Sequence, residues 1–374
     1  MFRFRKYVFI IIILIIFCCF IIFNYIGLIY NKQINQFQNF SSFNKSQLIR
    51  YVWKQNITDR IFISFVVCSL RLNESLNVVK SVLLFTSTPV CFVIFSEDIL
   101  IPQLNYTLTN WKKIRPNLDF ELHKIKFPKL HEQEWLHLFR KCAAQRLFLP
   151  ELLPHIDSLI YVDIDTLFLG PADELWHYFS KFHSYQISAM ALETEKTYLS
   201  WYFIHSQHPF YGKTGLNSGV MLMNLTRLRS FGWVNYVTTI MPKWKAHLPW
   251  GDQDIINIIF HYHERLLYLL SCRYNYRSDL CQYGDTCSSA DRDGVYILHG
   301  SRSVFVDNLT RQPAFKAVYQ AIDEYQLDMN PRTVLEKMER YLDEAPVTNC
   351  GRVKQSFLKL PKETIQNMYS KPDS

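Results

Sequence analysis

Between residues 59 and 225 the chain repeats one arrangement: an unbroken apolar run of strand length, then a segment with helical spacing. IFISFVV (61–67) leads into Leu76, Val79, Leu83 and Leu84 at helical intervals, and then into PVCFVIF (89–95). LDFELHKIKF (118–127) alternates as a strand, CAAQRLFLPELL (142–153) reads as helix, and SLIYVDID (158–165) is a strand ending in two acids. QISAMALE (186–193) and GLNSGVMLMNL (215–225) supply further strands. Strands that are apolar throughout need cover on both faces, so the pattern predicts an α/β domain around a mostly parallel sheet. In such sheets ligands gather at the carboxyl ends of the strands.

A different texture precedes this domain. Val8 to Phe23 is unbroken apolar, and the wider stretch from Tyr7 to Tyr30 holds one strongly polar residue, Asn24. As a helix it spans about 36 Å, enough for a hydrocarbon core of about 30 Å. A cleaved signal peptide is the alternative, but no small-residue cleavage pattern follows. The basic flank MFRFRK puts residues 1–6 in the cytosol and the rest in the lumen, a single-pass type II topology. Residues 31–58, rich in Asn, Gln, Lys and Ser, read as a stem, 59–345 as the globular domain and 346–374 as a polar, peripheral tail. The net charge of +8 includes Arg3, Arg5 and Lys6, and no Lys/Arg run remains that could track phosphates, which argues against nucleic-acid binding. With 49% apolar and 20% charged residues the chain is neither disordered nor fibrous.

Asn-x-Ser/Thr occurs at Asn39, Asn44, Asn56, Asn73, Asn105, Asn224 and Asn308, as suits a lumenal chain, although Asn224 sits among apolar residues. Outside the apolar segment lie Cys68, Cys91, Cys142, Cys272, Cys281, Cys287 and Cys350. An oxidising compartment allows disulfides, the odd count leaves at least one thiol unpaired, and Cys281 with Cys287 is the expected pair. A zinc site is the rival reading of those cysteines.

Asp163 and Asp165 close the strand SLIYV, and strand alternation would point both carboxylates to one face, about 6.6 Å apart. Two acids so placed suit a hard divalent cation, Mg²⁺ or Mn²⁺, with substrate phosphates completing its shell; a solvated strand end is the alternative. His299 ends a second strand, VYILHG, and is either a third ligand, favouring Mn²⁺, or a core histidine. Arg302 stands three residues on and can fork onto a diphosphate or form a surface ion pair. Asn217-Ser218-Gly219 precedes VMLM, where the amide suits sugar hydroxyls and the glycine a close backbone approach, or simply a turn. In Gly251-Asp252-Gln253-Asp254, Asp252 serves as a helix cap, leaving Gln253 and Asp254 to face a substrate.

Together these pieces resemble glycosyltransferase family 8, the retaining, metal-dependent enzymes of GT-A fold. RLFLP (146–150), YVDIDTLFLGPADELW (161–176), GLNSGVMLMNL (215–225), GDQDIIN (251–257) and LHG (298–300) carry the resemblance, in the family's order, over about residues 60–330. CAAQRLFLP, NYRSDLCQYGDTC (275–287) and LHGSR make it most similar to the glucoside xylosyltransferases. The resemblance implies a Rossmann-like GT-A domain that moves xylose from UDP-xylose to O-linked glucose on EGF-like repeats, in α-1,3 linkage, on glycoproteins such as Notch. It implies Mn²⁺ on Asp163, Asp165 and His299, with Mg²⁺ as the alternative. Arg146 matches the arginine that contacts the donor, and Asn217, Gln253 and Asp254 match positions around the donor sugar. Arg302 stands near where the family often has a lysine on the diphosphate. Uracil contacts are expected near Cys68-Ser69-Leu70, with Ser69 in the donor site.

Retention without an evident nucleophile, other than Asp254 or the amide of Gln253, favours front-side attack through an oxocarbenium-like state, the leaving phosphate oxygen taking the acceptor proton. An aromatic among Trp201, Tyr202 and Phe203 is expected to exclude the exocyclic CH₂OH of a hexose donor. The rivals are a UDP-glucose or UDP-galactose transferase of the same fold, an inactive membrane-anchored glycan-binding relative and, more distantly, a metal-dependent hydrolase. The expected setting is the endoplasmic reticulum or Golgi.

Overall fold

The computed structural model describes residues 60–68, 71–138, 142–284, 286–306 and 311–370. The apolar segment 7–30, the stem 31–58, the sequons at Asn39, Asn44, Asn56 and Asn308, and Ser69 lie outside the described residues. Among the described residues no helix is long and apolar enough to cross a membrane.

The chain runs through β1 (Ile61–Val67), α1 (Leu72–Phe85), β2 (Val90–Ser96), α2 (Ile101–Ile114), β3 (Leu118–Lys124), β4 (Ser158–Val162), β5 (Thr166–Phe168), α3 (Ala172–Lys181), β6 (Ser188–Leu192) and α4 (Trp201–His205). It continues through β7 (Leu216–Asn224), α5 (Asp252–Tyr262), β8 (Leu267–Leu270), β9 (Tyr276–Arg277), β10 (Ile297–His299), α6 (Pro313–Asp323), α7 (Arg332–Glu344) and α8 (Lys354–Ser370), with shorter helices between. Seven strands form one sheet in the order β3-β2-β1-β4-β7-β6-β8. Its pairings are parallel except those of β7 with β4 and with β6. A second sheet has three strands in the order β5-β10-β9.

The unbroken apolar runs have a simple cause. Ile63, Phe65, Phe92, Ile94, Ile160 and Val162 pack on one face of the large sheet with Val78, Val79 and Val82 of α1. Their neighbours Val66, Val93, Phe95, Leu159 and Tyr161 pack on the other face with Ile255, Ile256 and Ile259 of α5. Side chains alternate along a strand, so a strand covered on both faces has no polar side to show.

Three expectations change. The helix read over 142–153 is a 3-10 turn, Ala143–Phe148, followed by one short helix, Leu149–Leu152. The segment after Ala345 is not a peripheral tail: α8 buries Phe357, Leu358, Leu360 and Ile365 in the core, and Ser356 O accepts from Val295 N. Its amphipathic spacing is diluted by Lys and Gln, which hid the buried stripe. Cys281 bonds not to Cys287 but to Cys350, while Cys272 pairs with Cys287 and Cys68 with Cys142. Proximity in sequence suggested the wrong partner because α8 and the turn before it bring Cys350 back against Cys281. Cys91 is the free thiol among the described cysteines, buried on β2.

Of the described sequons, Asn73 and Asn105 are exposed. Asn224 is buried and accepts from Arg227 N as the cap of the following helix, so its side chain is already engaged.

Candidate active site

β4 stops at Val162, and Asp163-Ile164-Asp165 is a turn that leaves the large sheet for β5 of the small one. The two carboxylates therefore converge through a turn and not, as expected, through strand alternation. His299, the last residue of β10, pairs antiparallel with Thr166 just past this turn. Its Nε2 lies 3.8 Å from Asp163 Oδ2 and 3.4 Å from Asp165 Oδ1. One ligand atom from each of the three residues falls within 4.8 Å of the others. Two carboxylates and one imidazole fit a divalent cation, hard enough for Mg²⁺ and suited by the nitrogen to Mn²⁺.

A second layer holds this set. His299 Nδ1 donates to Asn275 Oδ1 at 2.8 Å, which turns Nε2 towards the carboxylates, as a donor to Asp165 when the ring is protonated and as a lone pair for a cation when it is neutral. Asn275 Nδ2 donates in turn to Asn217 Oδ1 at 2.8 Å, which also accepts from Gly219 N. Gly219 is where the close approach occurs, but the approaching group is the His299 ring: a Cβ there would sit 2.1 Å from its Cε1. Arg71 forks onto Glu74 through Nε and Nη2, both at 2.6 Å, and reaches Asp165 Oδ2 at 3.4 Å. Burial pushes the Asp165 carboxyl up, but the hydrogen bond and charge of His299 and the Arg71 guanidinium outweigh it and hold the group well below the usual carboxylate range.

Arg71, Asp163, Asp165, Asn217 and His299 line an open cleft of about 340 Å³. Arg146 enters from the 3-10 turn and is saturated: Nη2 donates to Asp163 at 2.7 Å, Nη1 to Ser218 O at 2.6 Å, and Nε lies 2.7 Å from Asp252 Oδ2. Its guanidinium also stacks 4.4 Å from the Tyr161 ring centre. Asp252 is thus not a simple cap but the buried partner of Arg146, and burial pushes its carboxyl up to about 6 against the pull of that arginine. Gly251, at φ 56°, supplies the turn into α5.

Gln253 lines the cleft, accepting from Ser218 N at 3.0 Å and donating to the Tyr202 hydroxyl at 3.1 Å. Asp254 does not face the cleft. It is fully buried, accepting from Tyr202 OH at 2.9 Å and Trp250 N at 2.6 Å, with His208 Nε2 at 3.2 Å. The helix turns its side chain inward, one residue beyond Gln253, where it holds Tyr202 and Trp250 and does not line the cleft. Burial, and then the Asp254 charge, push the Tyr202 phenol well above its ordinary value. Trp201 and Tyr202 line the cleft whereas Phe203 faces outward. Arg302 lines it too, in the left-handed region at φ 60°, and donates to Asp279 Oδ1 at 2.9 Å.

The structure thus brings together Arg146, Asp163, Asp165, Asn217, Gln253, His299 and Arg302. Sequence reasoning missed Arg71, Glu193, Asn275 and Arg277. Arg71 and Glu193 stand just past strand ends, the position that marks ligand sites in such sheets.

A model described as glycosyl transferase family 8 matches residues 23–299. Glucoside xylosyltransferase 1 of Mus musculus is 41% identical over 335 residues, spanning 86% of this chain and 82% of that protein. Glucoside xylosyltransferase 2 of Xenopus laevis is 42% identical over 322 residues, spanning 83% and 76%. Among solved structures, the galactosyltransferase LgtC in complex with donor and acceptor sugar analogs shares the fold, with a TM-score of 0.53 at 17% identity over 70% of this chain and 95% of that one. On the match over most of its length, the chain belongs to glycosyl transferase family 8, a glycosyltransferase of GT-A fold.

Proposed function

We propose that the protein transfers xylose from UDP-xylose to O-linked glucose on EGF-like repeats, forming an α-1,3 linkage with retention at the anomeric carbon, on secreted or membrane glycoproteins such as Notch. The observation that carries this reading is the complete Asp163–Asp165–His299 set, in a chain 41% identical to a protein named glucoside xylosyltransferase over 82% of its length. The cation we assign to that set is Mn²⁺, and when bound it supplies positive charge against the diphosphate as the sugar–phosphate bond breaks. Arg146, fixed by Asp163 and Asp252, presents its guanidinium beside the donor. Gln253, fixed by Ser218 and Tyr202, presents an amide at the cleft wall. Arg302 and Arg71 are the cations able to turn onto a diphosphate. With Asp254 sealed, front-side attack, with the departing phosphate oxygen taking the acceptor proton, is the route we assign. Tyr202, which accepts from Gln253 at the cleft wall, is the aromatic we assign to exclude a hexose CH₂OH.

On the same reading residues 7–30 anchor the protein as a single-pass type II chain, 31–58 form the stem, and the catalytic domain works in the lumen of the endoplasmic reticulum or Golgi. The test incubates the purified chain with Mn²⁺, an O-glucosylated EGF-like repeat and separate UDP-sugars, and reads product mass. A pentose gain with UDP-xylose alone, lost in Asp165→Asn, is the expected result. A hexose gain from UDP-glucose or UDP-galactose overturns the donor assignment. No transfer and no UDP release from folded protein overturns the enzymatic reading in favour of a binding module.

A further inference from the structure

One wall of the cleft holds a charge pair that the protein itself leaves incomplete. Glu193 stands just past β6, with its backbone N donating to Gly215 O. Arg277 ends β9, in parallel register with His299. Both line the cleft, and they are only 7% and 3% exposed. Arg277 Nη1 lies 3.3 Å from Glu193 Oε1 and 3.7 Å from Asp279 Oδ2. Yet Glu193 Oε2, Arg277 Nε and Arg277 Nη2 are buried and make no hydrogen bond within the protein. A purely structural buried pair returns its desolvation cost only when its remaining donors and acceptors are filled. Arg146, which lines the same cleft, shows what filled donors look like: its Nε, Nη1 and Nη2 all donate within the protein.

The chemistry left open selects its ligand. One carboxylate oxygen accepts, and two guanidinium nitrogens donate, while the pair together is neutral. A phosphate would meet Glu193, and an ammonium would meet Arg277. A neutral ligand with neighbouring hydroxyls satisfies both, since each hydroxyl can donate to Glu193 or accept from Arg277. Trp201 and Trp250 line the same cleft with ring centres 5.4 Å apart at 81°, an apolar corner for the C–H face of a pyranose. Phe203 and Ile204, on the same short helix as Trp201, are 61% and 54% exposed. That short helix therefore shows apolar surface outside the cleft as well as within it.

The geometry points to Glu193 and Arg277 as the subsite that receives the hydroxyls of the acceptor glucoside, against the Trp201–Trp250 corner. This rests on the transferase reading above. The pair sets affinity for the acceptor and leaves the handling of the UDP-sugar to the carboxylates, Arg146 and Gln253.

The experiment uses the purified full chain with Mn²⁺ and compares wild type with Glu193→Gln and Arg277→Lys. Two reactions are followed: transfer to a simple β-glucoside, and UDP release from UDP-xylose with water alone. Each variant is expected to raise the KM for the glucoside about tenfold or more, the loss of one hydrogen bond to a charged group. The KM for UDP-xylose and the rate of UDP release into water stay within about twofold. A parallel rise in the donor KM, or a parallel fall in UDP release, overturns the assignment in favour of a donor subsite. An unchanged glucoside KM overturns it in favour of a structural pair. If either variant fails to fold, mono-deoxy glucosides on the wild type decide. At least one deoxygenation must raise KM about tenfold, and a full series within twofold of the parent overturns the proposal. Wild type that releases no UDP from any UDP-sugar instead defeats the transferase reading itself.

Discussion

His299 Nδ1 sits 2.8 Å from Asn275 Oδ1, and this hydrogen bond decides which nitrogen of the ring faces Asp163 and Asp165. Without it the ring is free to rotate or change tautomer. Asn275→Ala is expected to weaken cation affinity about 10- to 100-fold, the usual cost of losing such a support, while the protein remains folded. Titration of Mn²⁺ into the apo protein checks this directly, and an unchanged affinity would refute the role.

Gly219→Ala tests the same ring by crowding it. The added Cβ would fall 2.1 Å from His299 Cε1, so the ring must move. Activity is expected to fall about a hundredfold, with a stability loss of about 1–3 kcal/mol from overpacking. Turnover at saturating Mn²⁺ together with a thermal melt separates the two effects.

Asp254→Asn distinguishes a buried positioning residue from a nucleophile. An amide cannot accept at both oxygens as the carboxylate does from Tyr202 and Trp250. The expected result is a stability loss of about 1–3 kcal/mol and a kcat lower by about a hundredfold. Activity below detection with unchanged stability would instead restore Asp254 to the chemistry.

Burial pushes the Cys91 thiol up from 9.0 to about 12. The folded state therefore keeps a proton that the unfolded state gives up, and stability falls as pH rises from 9 towards 12. Cys91→Ala is expected to flatten that part of the stability profile, measured by urea unfolding. Native protein should resist thiol alkylation at pH 8.

Cys350→Ser is expected to cost about 2–5 kcal/mol, because the bond to Cys281 closes a long loop and fixes the start of α8. Ending the chain at Ala345 should give insoluble protein, since Phe357 and Leu358 leave the core with it. A soluble, active product would show that α8 is dispensable.

Much of the catalytic half is legible in the sequence, for a physical reason. Strands buried on both faces leave unbroken apolar runs: β1, β4 and β7 fall within the runs read for them, and β2 overruns its own by one residue, Ser96. The acids of the candidate metal set are legible because they follow such a run directly. Less legible were the groups whose partners come from far along the chain. Arg146 and Asp252 are separated by a hundred-odd residues yet form one ion pair. Nothing local marks Asn275 as the support of His299, or Cys350 as the partner of Cys281. Asp254 departs from the expectation because a helix turns successive side chains by about 100°: Asp252 and Gln253 face the cleft, and Asp254 is carried past it into the core.

The turn at Asp163–Asp165 belongs to two sheets at once, leaving β4 of the large one and entering β5 of the small one, while His299 belongs to the small sheet alone. This bears on how inherited variation in such a gene should be interpreted. A change at Leu298 or Tyr276, buried in the small sheet and touching no ligand, tilts one half of the site against the other. Because both are also core residues, such alleles would lower the amount of folded protein as well as its activity, and a survey confined to the three candidate ligand codons would score them as benign.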